Sequence, residues 1–245
     1  MMIIFINSKG GKLEKNIEAL NHCIGYGNPF ANYWFFTLED GGGYCSKNND
    51  LVCKERELQR LELYKKKFVD KNFSTYHLTN QDLEGFYSQF PEEKEKAKTD
   101  FTYQNYCSIY NRLNNANIAP KNIGDSESKI FVSNLFPISR SNSENNFDGT
   151  FEEWEEEYWS YRKRYITDFF KDKTVSKSNM TILFFGIENK FNELLNEMIG
   201  EKVKMEFEKK LVFENFTFLQ TYHAGRRTTF NKKFNLDSVI KLLLE

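Results

Sequence analysis

The sequence predicts an α/β fold in three α/β/α layers, with a central, mainly parallel four-stranded sheet and helices on both faces. Two observations lead to this prediction. Four short apolar and aromatic runs are bounded by turn or charge signals, as buried strands are. Segments with a helical spacing of apolar residues separate these runs, and strands that alternate with helices are typical of a parallel sheet covered by helices.

The four predicted strands share a near-continuous apolar character, which indicates burial on both faces of a sheet. They are Tyr33 to Leu38, Ile130 to Phe136, Thr181 to Ile187, and Phe216 to Tyr222.

Helices are predicted between and after the strands from the spacing of their apolar residues. They cover Leu51 to Phe68, Phe151 to Phe170, Phe191 to Ile199, and Leu236 to Leu244. In the second of these helices, aromatic residues recur at intervals near four and predict one apolar face, formed by Trp154, Tyr158, Tyr161, Tyr165 and Phe169.

The length of 245 residues is compatible with a single domain that spans residues 1–245. The connection between the first two predicted strands is too long for an ordinary crossover, so we expect an insertion within about residues 54–128. Its polar part from Asn111 to Ser128 contains Pro120 and Gly124 and is typical of a surface loop.

Composition excludes several classes of protein. Hydrophobic residues make up 40% of the chain and no apolar run approaches the roughly 20 residues of a membrane span, so we expect no membrane segment. The opening residues Met1 to Ile6 lack the features of a secretory signal, which favours a cytoplasmic protein with free thiols. The formal net charge of -1 neither requires nor excludes a polyanionic partner.

Acidic and glycine residues follow the first predicted strand, at the carboxyl end where parallel sheets bind ligands. Glu39 and Asp40 precede three glycines, Gly41 to Gly43. Such a turn lets the backbone approach a substrate closely while an acid is held at the strand end. The same residues are also compatible with a flexible loop.

Polar residues mark two further strands. Asn134 interrupts an apolar strand, so its amide is either a satisfied core group or a group that binds the edge of a ligand. His223 follows the fourth strand and precedes Arg226 and Arg227, an arrangement that suits contact with an anion. A lone histidine is more often structural.

The order of these elements resembles the uracil-DNA glycosylase superfamily. In that superfamily an apolar strand leads to a Gly-rich loop with an acidic residue, a second strand carries Asn before Pro or Arg, and a last strand delivers His. The similar segments here are Trp34 to Gly43, Phe131 to Arg140, Ile182 to Gly186, and Thr221 to Arg227. This chain has no proline after the acid and has Ala-Gly after His223, which bears on the base accepted more than on the fold.

The resemblance implies a monofunctional, monomeric DNA glycosylase that hydrolyses the N-glycosidic bond of a damaged or modified pyrimidine flipped out of DNA. No metal or other cofactor is implied. Glu39, with Asp40 as the competing candidate, would stabilise the cationic sugar, and His223 would donate to the departing base. The base would be held by Asn134, Tyr44, Gly41 and Gly42. Phosphates would be bound by Arg226, Arg227, Arg140 and Lys232.

Three other interpretations stay open. One is a glycosylase that removes modified bases from phage DNA as an antiviral defence. Another is a nucleic-acid-binding protein of the same fold without catalysis, which need not keep Glu39 and Asp40 at a strand end. A third is an unrelated nucleotide-handling enzyme or protein-interaction domain, which would leave the placement of Asn134 and His223 unexplained.

Overall fold

The computed structural model describes residues 24–39, 63, 77–91, 94–95, 100–136, 152–171, 179–186, 189–224 and 234–245. The chain folds into two compact units. The first unit comprises Met1–Ile24, Glu39–His77 and Asn134–Ile166. The second unit comprises Gly25–Leu38, Leu78–Ser133 and Thr167–Glu245.

The described residues form a mixed sheet of seven strands. The strands are β1 (Gly25–Gly27), β2 (Tyr33–Glu39), β3 (His77–Leu78), β4 (Ile130–Phe136), β5 (Met180–Phe185), β6 (Lys210–Phe213) and β7 (Phe216–Thr221). Their order across the sheet is β3-β1-β4-β2-β5-β7-β6. β2 pairs parallel to β5 and β5 parallel to β7, whereas β1 with β4 and β6 with β7 form antiparallel pairs.

All four predicted strands belong to this sheet, which confirms the α/β class. The predicted number of four strands is wrong, because β1, β3 and β6 join the sheet, and the antiparallel pairs of β1 and β6 make it mixed. These three strands are only two to four residues long, which is too short for an apolar run that would mark them in the sequence. The arrangement in three layers stays a prediction.

Five α-helices and one short 3-10 helix lie within the described ranges. The α-helices are α1 (Asn80–Gln89), α2 (Phe101–Asn114), α3 (Glu152–Phe170), α4 (Asn189–Ile199) and α5 (Leu236–Leu244), and the 3-10 helix is Pro120–Asn122. The predictions of α3, α4 and α5 are confirmed to within two residues at each end. The predicted helix at 51–68 lies outside the described residues except for Leu63.

Two details of the helical prediction are wrong. The expected surface loop from Asn111 begins inside α2, which continues to Asn114, and Ile123 within that stretch is fully buried. In α3 the predicted face is wrong at Tyr161, which is 47% exposed, whereas Phe169 of that face packs against Trp34 with ring centroids 6.0 Å apart. The buried side chains among those described in α3 are Trp159, Arg162, Ile166, Thr167 and Phe170.

Aromatic side chains dominate the core of the second unit. Tyr106 of α2 contacts Phe35 of β2 and Phe185 of β5, with ring centroids 4.7 and 5.0 Å away. Phe184, the residue before Phe185, instead contacts Phe191 of α4 at 5.0 Å. Alternate residues of a strand point to opposite faces of the sheet, so α2 and α4 contact different positions of β5.

A polar cluster in the second unit connects β1, α1 and the segment after α2. The Tyr26 hydroxyl donates to the Asn80 Oδ1 atom. Asn80 donates from Nδ2 to Asp125 at 2.7 Å and to the Lys121 carbonyl at 2.9 Å, and from its backbone N–H to the Gly124 carbonyl at 2.7 Å. Burial raises the pKa of Tyr26, so its hydroxyl keeps the proton that it donates.

None of the helices in the described part of the chain combines the length and the apolar character that crossing a membrane requires.

Candidate functional site at the carboxyl ends of the parallel strands

The ends of β5 and β7 are joined by two hydrogen bonds beyond their ladder. Phe185 pairs with Thr221 in the last register position, and the Gly186 N–H donates to the Thr221 carbonyl at 2.7 Å. The Gln220 Nε2 atom donates to the Gly186 carbonyl at 2.9 Å. Gly186 has a φ of 129°, which side-chain-bearing residues rarely adopt. The two strand ends are therefore fixed relative to each other.

The segment Tyr222 to Ala224, here called the His223 turn, follows β7 directly. The Asn105 Nδ2 atom of α2 donates to the Ala224 carbonyl at 2.6 Å. The ring of Tyr222 packs edge-on against Phe207 at 4.5 Å between centroids. His223 itself is half-buried. Its imidazole is thus carried between two anchored neighbours and remains partly accessible.

Helix α2 is held in place at its start and along its buried face. The Asp100 side chain caps the helix by accepting from the backbone N–H groups of Thr102 and Tyr103 at 2.6 and 3.3 Å. Tyr106 packs into the aromatic core, and Asn105 lies beside it with only 9% of its surface exposed. The position of Asn105 is therefore fixed by its helix rather than by a loop.

A buried hydroxyl lies at the same strand end. Thr221 is 1% exposed, and its Oγ1 atom makes no hydrogen bond within the described residues. A buried polar group without a partner costs free energy, so such groups in native proteins usually serve a water, a ligand or a strained site.

The predicted acidic loop is only partly described. Glu39 is the last residue of β2, so the strand ends where the sequence predicts, within one residue. Its side chain lies outside the described part of the structure. The same holds for the following predicted residues, Asp40, Gly41, Gly42 and Tyr44.

The predicted phosphate-binding residues also lie outside the described residues. They are Arg140, Arg226, Arg227 and Lys232.

Asn134 lies within β4, as predicted, and is half-buried. Its backbone carbonyl accepts a hydrogen bond from the Arg162 Nη2 atom at 2.8 Å, and the same nitrogen donates to the Ile24 carbonyl at 3.2 Å. Arg162 is 1% exposed. All three residues belong to the first unit, whereas His223 belongs to the second. The convergence of Asn134 with His223 and Glu39 stays a prediction.

The sequence analysis missed Gln220 and Asn105, which hold this strand end, and Arg162, which bonds backbone carbonyls within the first unit. Gln220 interrupts the apolar run of β7, a signal of the kind that identified Asn134. Arg162 lies three residues after Trp159 and four residues before Ile166, so a helical projection of α3 places it on the same face as these two residues. Asn105 had no such signal, because its partner lies 119 residues further along the chain.

Among the described residues, the His223 turn and α2 carry one imidazole and one thiol. No group of three or more His, Cys, Asp or Glu residues able to hold a metal ion occurs in the described part of the chain. Cys107, two residues after Asn105, is buried and free, and burial raises the pKa of its thiol to about 12. A thiol with such a pKa stays protonated and is a poor nucleophile near neutral pH. The imidazole of His223 is the more suitable group for donating to a developing anion.

The chain matches no protein-family model, no curated protein and no solved structure.

Proposed function

We propose that this chain is a monomeric DNA glycosylase, similar to the uracil-DNA glycosylase superfamily, that removes a damaged or modified pyrimidine flipped out of DNA. The observation that carries the proposal is the His223 turn, which follows a strand of the parallel β2-β5-β7 group and is anchored by Asn105. Ligands of parallel α/β sheets bind at this end of the strands. The resemblance to the superfamily predicts that a histidine at the end of this strand contacts the base.

The reaction explains why the proposed residue types are needed. Water adds to the sugar carbon as the bond to the base breaks, and positive charge develops on the sugar while negative charge develops on the base. In this proposal the Glu39 carboxylate positions the water and stabilises the cationic sugar, with Asp40 as the competing candidate. His223 donates a hydrogen bond to the departing base, and Asn134 binds the base edge.

In this proposal, aromatic and basic side chains bind the DNA. An enzyme that acts on a flipped base needs a stacking surface, and Tyr44 is the proposed platform, beside the backbone of Gly41 and Gly42. Phosphate contacts are assigned to four basic residues: Arg140, Arg226, Arg227 and Lys232. Binding should then weaken as salt rises, despite the formal net charge of -1.

A three-layer arrangement is part of the proposal. It is supported by the contact of Tyr106 in α2 with Phe185 and by the contact of Phe191 in α4 with Phe184. Because adjacent strand residues point to opposite faces, two helices that contact adjacent residues are expected on opposite sides of β5.

The experiment is an assay of base release on oligonucleotides that each carry one uracil or one larger modified pyrimidine, in single- and double-stranded form. Release leaves an abasic site, which alkali cleaves. Glu39→Gln should keep DNA affinity and lose base release by on the order of 100-fold or more, because the amide keeps the volume of the carboxylate without its charge. Glu84→Gln, on the exposed surface of α1, is the matched control and should leave release unchanged.

The outcomes separate the alternatives. Release confined to larger modified bases would favour the interpretation as phage-DNA defence over repair of uracil. Salt-sensitive DNA binding without release from any substrate would assign a non-catalytic nucleic-acid-binding protein instead. Full activity in both Glu39→Gln and Asp40→Asn would refute the hydrolytic mechanism.

A further inference from the structure

The side-chain amide of Asn105 is buried and donates a hydrogen bond to a residue outside its own helix. Asn105 is 9% exposed on α2, and its Nδ2 atom donates to the Ala224 carbonyl at 2.6 Å across 119 residues of sequence. A buried amide without a partner would be costly, so this bond is strongly favoured over an open arrangement.

The bond acts on the backbone carbonyl of Ala224, the residue that directly follows His223. Fixing the Ala224 carbonyl restricts the backbone around His223 from one side. On the other side, Gln220 and Thr221 are fixed by their hydrogen bonds to Gly186. The His223 turn is thus held at both ends, and the Asn105 side chain is the anchor of its second end.

We propose that Asn105 is a positioning residue that sets the imidazole of His223 for donation to the departing base. The assignment rests on the proposed function for the role of His223, but the positioning itself follows from the hydrogen bond to Ala224. Misplacement of a reacting group by about 1 Å can cost on the order of 100-fold in rate. Loss of the amide should therefore lower kcat while leaving DNA affinity nearly unchanged.

The matched control is Asn111 on the same helix. Its amide also bonds backbone outside the helix, since Nδ2 donates to the Ile118 carbonyl at 3.0 Å and Oδ1 accepts from the Ile118 N–H at 2.7 Å. Asn105→Leu and Asn111→Leu each remove such an amide at nearly constant shape. Only the first removes a contact to the His223 turn.

The first experiment is independent of activity. The chain has three histidines, His22, His77 and His223, so the imidazole signals in an NMR spectrum are few, and His223→Gln assigns the relevant one. Asn105→Leu should shift the His223 signal and its pH titration and leave the other two unchanged, whereas Asn111→Leu should change none of them. A wild-type His223 signal in folded Asn105→Leu would overturn the proposal.

The second experiment is a double-mutant cycle on the best substrate found. Asn105→Leu should lower kcat on the order of 100-fold in the wild-type background and less than about twofold in a His223→Ala background, because the effect is transmitted through the imidazole. Equal effects in both backgrounds would mean a merely structural role.

Two further outcomes are decisive. If no oligonucleotide is turned over, the proposed function fails while the NMR comparison still decides the positioning. If Asn105→Leu does not fold, Asn105→Asp, which keeps the shape and loses the donor, takes its place in both experiments. Failure of both variants to fold would assign the bond to stability alone and overturn the proposal.

Discussion

Thr221→Val replaces the buried hydroxyl at the end of β7 with a methyl group of the same shape. Thr221 is 1% exposed, and its Oγ1 atom has no hydrogen-bond partner among the described residues. In the unfolded chain that hydroxyl is hydrated, so folding removes its hydrogen bonds to water without replacement by the protein. Valine does not carry this cost, and its β-branched shape suits a strand equally well.

The size of the effect follows from the desolvation of one hydroxyl. Burying a polar group without a partner costs about 1 to 3 kcal/mol, and the added methyl gains about 0.8 kcal/mol from leaving water. Thr221→Val should therefore raise the free energy of unfolding by about 2 to 4 kcal/mol. With a urea m-value of about 3 kcal/mol/M, the unfolding midpoint would rise by roughly 0.7 to 1.3 M.

Thr217→Val provides the control, because Thr217 lies on the same strand and the same face but is half-buried. It carries the same change in strand propensity and should alter stability by less than about 0.5 kcal/mol. A loss of stability in Thr221→Val would refute the reasoning and show that the hydroxyl has a partner, such as a bound water. A more stable Thr221→Val that releases bases more slowly would show that the hydroxyl serves the substrate.

Three other predictions concern stability. Gly124→Ala should lower the free energy of unfolding by about 2 to 4 kcal/mol, since the added Cβ would overlap the Tyr26 hydroxyl. Gly85→Ala, at an exposed position of α1 with open space around it, should raise the free energy of unfolding by about 0.5 to 1 kcal/mol. Equal urea midpoints for the two variants would contradict this prediction. Arg162→Met should cost about 3 kcal/mol, because two backbone carbonyls lose a charged donor, and Arg162→Lys should recover little of it in thermal unfolding. Burial raises the pKa of the Cys107 thiol to about 12, whereas the same thiol in the unfolded chain ionises near about pH 8.5. The free energy of unfolding should therefore fall as pH rises above about 8.5, and this fall should end where the folded thiol also ionises. Between pH 8 and 10, the free energy of unfolding measured in urea should fall less steeply with pH in Cys107→Ala than in the wild type. An equal slope in the two proteins would show that ionisation of Cys107 does not cause the fall.

The sequence predicted the elements that are long and uniformly apolar. β2, β4, β5 and β7 each bury a run of aromatic and aliphatic residues, and such runs are recognisable without knowledge of their neighbours. β6 was missed because an edge strand needs only one neighbour and carries a mixed sequence. Its hairpin to β7 turns on two residues, and the first of them, Glu214, has a φ of 51°, a conformation that glycine or asparagine would have signalled.

The ends of the strands were predictable from the sequence, whereas the long-range polar contacts were not. Glu39 and His223 stand out because each closely follows an apolar run, and their place in one site stays a prediction. Asn105 and Arg162 do not stand out, since a polar residue within a helix is ordinarily solvated and only the folded chain reveals that these two are buried. Whether a polar side chain is buried depends on the residues that pack against it, and for these two residues the partners are distant in the sequence.

The hydrogen bond from Asn105 to Ala224 also has a consequence for how the protein can be assembled and redesigned. The stretch between β2 and β4, which looks in the sequence like an addition to a smaller fold, supplies α2 and therefore one anchor of the His223 turn. Closing a contact over 119 residues carries a high entropic cost and is typical of late steps in folding. During synthesis on the ribosome the turn would be completed only after β7 and Ala224 have emerged, and trimming the chain to its sheet would remove that anchor along with the helix.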